Sequence, residues 1–159
     1  MNKTILKNFA IDARNQLIEE IKNKAAMIGI TEEGISSPLP ASTSDLLLFD
    51  IQTVEPYMLK GKEIRQYKRL INELKQREEN ADYDTAYETL IEEIAYTWFN
   101  RLIAIRFMEI NNYMPNRMRV LSSGIEGVNE PELVTNYLDS GLDFNQEELQ
   151  QLSEWRLDG

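Results

Sequence analysis

Neither cysteine nor histidine occurs anywhere in these 159 residues. Without cysteine there is no disulfide framework and no thiolate metal site. Without histidine there is no Ser-His or Cys-His nucleophile pair, no haem ligation, and none of the usual general bases of neutral pH. Any chemistry would have to rest on carboxylates, Lys, Tyr or Ser. Long apolar runs are missing as well. No stretch approaches the roughly 20 residues that span a bilayer, and charges interleave from Lys3 to Arg14 where a secretory signal would be hydrophobic. A cytoplasmic protein without membrane contact is the expectation. No repeat of 20 to 50 residues is present, which excludes a solenoid or propeller.

Charge is abundant and unevenly placed. The net value is −10, from 17 Lys and Arg against 27 Asp and Glu. Residues 126–159 hold nine of the acids and a single base, Arg156, so the first 125 residues are close to neutral. A uniformly acidic surface repels phosphate. A contact with nucleic acid would therefore have to come from a local basic patch. One such run exists: Lys60, Lys62, Arg65, Lys68, Arg69, Lys75 and Arg77, interrupted only by the acids Glu63 and Glu73. Lys62, Arg65 and Arg69 share one helical face with Lys68 beside it, and a stripe of this kind can follow a phosphate backbone. The competing explanation is the ordinary solvated side of an amphipathic helix.

Hydrophobic periodicity predicts an all-α bundle of three main helices with shorter C-terminal ones. The first is marked by Ile5, Leu6, Phe9, Ala13, Leu17, Ile21, Ala25 and Ile28, with Thr4 as a candidate N-cap and Gly29 at the C-terminal cap. It should run about six turns with one buried stripe. Residues 30–61 lose the rhythm among Gly34, Ser36, Ser37, Pro38, Pro40, Ser42 and Ser44, and read as a loop. Within them, Leu46–Phe49 fits either a helical turn or a short strand. A second helix is predicted over Lys62–Glu79, burying Ile64, Tyr67, Leu70, Ile71 and Leu74. Asp82 or Asp84 can cap a third helix over residues 85–113.

That third helix carries two apolar stripes, Leu90-Ile91-Ile94-Trp98-Leu102-Ile105 and Ala95-Phe99-Ile103-Phe107-Ile110, which predicts a central helix buried among neighbours, with Trp98 and Phe99 in the core. Past Pro115 the pattern weakens, then short helical periods return over Pro131–Tyr137 and Asn145–Trp155. The chain reads as a single N-terminal helical domain over 1–159 with an acidic part at 126–159. Its end at Leu157-Asp158-Gly159 has no capping logic and suits a fragment of a larger protein.

Within the apolar third helix, Arg101 and Arg106 should need partners, because an unpaired buried cation is costly. Glu109 lies one turn beyond Arg106. The partner of Arg101 should come from another helix or a further domain. Structural ion pairs through Arg101, Arg106 and Glu109 are favoured over an interface or phosphate contact. Two further features are structural. Gly124 and Gly127 mark a turn, since no Lys-Ser or Lys-Thr follows to make a phosphate loop. Glu92 and Glu93 point about 100° apart on a helix and cannot converge on one substrate.

The block Ala95-Tyr-Thr-Trp-Phe-Asn-Arg-Leu-Ile-Ala-Ile-Arg-Phe-Met-Glu-Ile-Asn-Asn-Tyr-Met-Pro115 and then Arg119-Val-Leu-Ser-Ser123 resembles the N-terminal region of the PglX family, the adenine-specific DNA methyltransferases of BREX phage-defence systems. The opening segment from Leu6 to Gly34 and the residues Lys75-Gln-Arg-Glu78 ahead of Glu92-Glu-Ile-Ala-Tyr-Thr-Trp98 are similar as well. Related helical blocks precede the catalytic domain of other restriction-system adenine methyltransferases. The resemblance implies S-adenosylmethionine as cofactor of a larger parent, bound at a Gly-rich strand-to-helix turn, and a flipped adenine held at an Asn-Pro-Pro-Tyr loop. Neither element is here: no Asn-Pro and no Pro-Pro dipeptide occurs. The expected function is thus a non-catalytic accessory domain with no catalytic, cofactor-binding or metal residues of its own. Its expected partners are the parent's catalytic domain, DNA and other BREX components. A free-standing acidic scaffold that binds protein and never touches DNA is the alternative.

Overall fold

The computed structural model describes residues 3–114 and 116–157, and side chains up to Ser153. Pro115, Asp158, Gly159 and the side chain of Trp155 therefore lie outside the described residues. The chain divides into two compact units, Met1–Phe99 and Asn100–Gly159.

The first unit begins with α1, Lys3–Met27. Gly29 follows at φ +75°, its N–H donating to the Ala26 carbonyl at 2.9 Å. A Cβ there would sit 3.0 Å from the Ser36 carbonyl oxygen, so both backbone conformation and space call for glycine. The chain reverses through β1 (Ile30–Thr31) and β2 (Gly34–Ile35), then forms a second antiparallel pair. In it, β3 (Leu46–Phe49) lies against β4 (Tyr57–Lys60), with Leu46 opposite Lys60 and Phe49 opposite Tyr57. The protein is therefore mostly helical but not all-α. The two small pairs replace the predicted loop over 30–61, and Leu46–Phe49 resolves as a strand. Two-residue and four-residue strands are too short to show a period. Their stability comes from partners elsewhere, such as the Leu39 N–H donating to the Leu48 carbonyl at 2.7 Å.

Helix α2 spans Lys62–Glu78 and α3 spans Tyr83–Ile110. Asp82 caps α3, its Oδ1 accepting the Thr85 N–H at 2.8 Å. That hydrogen bond holds the Asp82 carboxyl below its ordinary range. One core joins Ala25, Ile30, Leu74, Ala86, Tyr87, Leu90 and Ile91, flanked by Ile18, Ile21, Tyr67, Leu70, Ile71 and Ile94. A second, smaller cluster holds Phe49, Leu59 and Ile64. The predicted buried face of α2 is therefore the one that packs.

Two helices bury less than their patterns promise. In α1 the predicted stripe packs only over its C-terminal half, while Ile5, Leu6 and Phe9 are exposed. In α3 the buried positions end at Ala95 apart from Glu109; Tyr96, Ile103, Phe107 and Ile110 are exposed, and Trp98 is 49 % exposed instead of being core. Apolar periodicity reports what a helix can bury, and at these positions burial is incomplete.

The second unit starts in the last turns of α3 and continues through a loop to α4 (Glu132–Thr135), a 3-10 turn at Tyr137–Asp139, and α5 (Gln146–Leu157). Asn145 and Glu148 close a reciprocal capping box at α5, each side chain accepting the other's backbone N–H at 2.9 Å. The Gly124–Gly127 segment is a turn, with the Val128 N–H donating to the Ile125 carbonyl.

Candidate nucleic-acid interface

Helix α2 is amphipathic in a way that sorts its charges. Ile64, Tyr67, Ile71 and Leu74 face the core, and at about 100° per residue the opposite side carries Arg65, Arg69, Asn72 and Gln76, with Lys62 and Lys68 flanking them. All six are exposed.

The two acids that interrupt the basic run are engaged elsewhere. Glu63 reaches back to accept the Lys60 backbone N–H at 3.0 Å. Glu73 accepts from Arg77 at 3.0 Å. Arg77 also bonds Glu93 of α3 at 2.7 and 3.2 Å, a two-pronged contact that fastens α2 to α3. The hydrogen bond to Glu93, followed by that to Glu73, holds the guanidinium pKa above its already high value, and Arg77 draws the Glu93 carboxyl down.

Arg77 therefore leaves the basic run for a structural post. Lys62, Arg65, Lys68 and Arg69 do not: among the described residues none of them has an ion-pair partner. In a chain of net charge −10, four adjacent unneutralised cations form a local positive field. Arg65, Lys68, Arg69, Asn72, Glu73 and Gln76 line one shallow recess along the helix. Sequence reasoning found the cations and missed Asn72 and Gln76. Their spacing of three and four residues beyond Arg69 was the available signal.

Arg106 meets Glu109 as the one-turn spacing implied, but the burial is arranged differently from the expectation. Both Arg101 and Arg106 are exposed, so the argument that burial forces each to find a partner does not apply. The buried charge is Glu109. Its side chain is 0 % exposed against 47 % for Arg106, whose Nη1 lies 3.0 Å away. Glu109 also accepts the Leu121 backbone N–H and, at 3.4 Å, the Ser122 hydroxyl. Burial pushes the Glu109 carboxyl up, but the backbone N–H of Leu121, the Arg106 guanidinium and the backbone N–H of Val120 outweigh it and hold the group below its ordinary value. Glu109 thus ties the chain at 120–122 to the end of α3.

Glu92 and Glu93 diverge as the helix geometry requires. Glu92 pairs with Arg14 of α1 at 2.9 Å, and Glu93 with Arg77. Among the described residues there is no group of three or more acidic side chains placed to hold a metal ion, and no helix long and apolar enough to cross a membrane.

No family model matches the chain. Two curated proteins do. One, described as "Adenine-specific methyltransferase PglX" from Lacticaseibacillus casei (strain Zhang), is 43 % identical over 123 residues, which is 77 % of this chain and 10 % of that protein. The other, "Adenine-specific methyltransferase BrxX" from Escherichia coli O9:H4 (strain HS), is 30 % identical over 124 residues, 77 % of this chain and 9 % of its own length. The chain spans about a tenth of the curated relatives it matches, and the resemblance read from the residue blocks stands as similarity to the N-terminal region of a PglX-like protein.

Proposed function

We propose that this PglX-like segment is the helical accessory domain of an adenine-specific DNA methyltransferase acting in bacteriophage exclusion. On this reading it is non-catalytic by itself and works in the cytoplasm alongside the catalytic domain of the parent chain. The observation that carries the reading is the 43 % identity over 123 residues to a protein whose printed name is an adenine-specific methyltransferase. The missing Asn-Pro-Pro-Tyr loop and the missing histidine and cysteine fit a supporting role, with S-adenosylmethionine and the flipped adenine handled by the rest of the parent. The α2 stripe of Lys62, Arg65, Lys68 and Arg69 supplies its DNA contact, made to phosphate oxygens. Other BREX components are partners of the parent on this reading.

Methyl incorporation tests it. The 159-residue chain incubated with labelled S-adenosylmethionine and duplex DNA should transfer no methyl groups. The parent gene product should methylate adenine, and deletion of this segment from it should abolish or strongly reduce that activity. Methylation by the isolated chain, or a parent that lacks methyltransferase activity altogether, refutes the proposal.

A further inference from the structure

We infer that the exposed face of α2 also reads base edges, with Asn72 and Gln76 as the reading groups and Lys62, Arg65 and Arg69 as the phosphate clamps that place them; this rests on the DNA-contacting role proposed above.

The face has the composition of a groove-facing helix and not merely of a solvated one. Arg65, Arg69, Asn72 and Gln76 recur at steps of four, three and four residues, so they fall within about 60° of arc and span about 16 Å along the axis. The B-DNA major groove is roughly 12 Å wide and admits one α-helix. Cations occupy the N-terminal half of the stripe and amides its C-terminal half. Asn72 and Gln76 are exposed and line the same recess as Arg65, Lys68 and Arg69, and their side chains make no hydrogen bond to any described residue. Their amide groups are therefore available in full, two donors and an acceptor each. A carboxamide can pair in bidentate fashion with the N6 donor and N7 acceptor of adenine in the major groove, whereas a Lys or Arg bound to a phosphate oxygen carries no sequence information. The same helix is held from behind. Leu74 and Ile64 are buried, and Arg77 clasps Glu93 across to α3, so the outward face is presented by a fixed element.

The ligand is thus a DNA duplex carrying adenine at one or two positions under the amide end of the helix. The experiment uses the 159-residue chain and a pool of duplexes with a randomised central segment. Bound duplexes are recovered and sequenced, and affinities for single duplexes are measured by fluorescence anisotropy across a salt series. The wild-type chain should enrich a short motif containing adenine, with about tenfold or more discrimination at each read base.

Asn72→Ala with Gln76→Ala should keep the salt dependence and lose the enrichment. Lys62→Ala, Arg65→Ala and Arg69→Ala together should weaken binding to every duplex and reduce the slope of log affinity on log salt by about 2 to 3. All five positions are exposed, so each variant should keep its helices, which circular dichroism checks. Wild-type binding without enrichment, or enrichment that survives the amide substitutions, overturns the base-reading inference and leaves the phosphate contact standing. An absence of salt-dependent binding overturns both. The accessory-domain reading is decided separately, by methyl incorporation.

Discussion

Glu109→Ala should release the chain at 120–122 from α3, and the size of the effect follows from what the carboxylate holds. Its side chain is fully buried and accepts from the Leu121 N–H, the Ser122 hydroxyl and Arg106. Arg106 is half exposed and can return to water, so that ion pair contributes less than about 1 kcal/mol. Hydrogen bonds to a charged acceptor are each worth about 1.5 to 3 kcal/mol, and the Leu121 N–H loses its charged acceptor in the variant. A local destabilisation of about 3 kcal/mol results, which at 1.4 kcal/mol per decade is a hundredfold or more in the opening equilibrium. Amide hydrogen exchange measured by NMR reads it directly. The Leu121 amide should exchange about 100-fold faster, while Leu90 and Ile91 keep their wild-type rates.

The pH dependence has a definite sign. Because the folded carboxyl titrates below its unfolded value of about 4.3, the stabilisation from Glu109 is fully present above that pH and is lost as pH falls through the lower, folded-state value. In urea unfolding, wild type and Glu109→Ala should therefore differ most near neutrality and converge in acid. Unchanged exchange at Leu121, or a gap that widens in acid, refutes the assignment of Glu109 as the anchor.

Other expectations concern the first unit. Leu74→Ala, at a residue with 0 % exposure, should cost about 2 to 5 kcal/mol in urea unfolding monitored by far-ultraviolet circular dichroism. Glu93→Gln should cost only about 1 kcal/mol, because Glu93 is largely exposed, and the loss should shrink in high salt. Gly29→Ala should destabilise by more than 1 kcal/mol by the same measurement, since the side chain would meet both a positive φ and the Ser36 carbonyl.

How much of this was legible in the residues depends on where each partner lies. The α2 face was readable because an amphipathic helix states its own buried side, and Ile64 through Leu74 pack as the spacing implied. The hairpins were not, because four residues such as Leu46–Phe49 declare no period and the strand forms only against Tyr57–Lys60. Trp98 and Phe107 were placed too deep because hydrophobicity marks a tendency to be buried without fixing how far burial goes. Within the candidate interface, charge drew the eye to Lys62, Arg65, Lys68 and Arg69, while Asn72 and Gln76 became visible only as the other lining of the same recess. Glu109 was legible only as the one-turn partner of Arg106. Its burial depends on Leu121 and Ser122, twelve and thirteen residues further along, which no local pattern encodes.

The bare apolar side chains of α1 and α3 set how the isolated chain behaves as a colloid. Ile5, Phe9, Phe107 and Ile110 are presented to water on a molecule whose charge of −10 keeps copies apart. Close to the sequence pI of about 4.6 that mutual repulsion vanishes while the greasy contacts remain. Light scattering should then show clustering in mild acid that begins before the fold is lost, and added salt at neutral pH should move the onset in the same direction by shortening the reach of the repulsion.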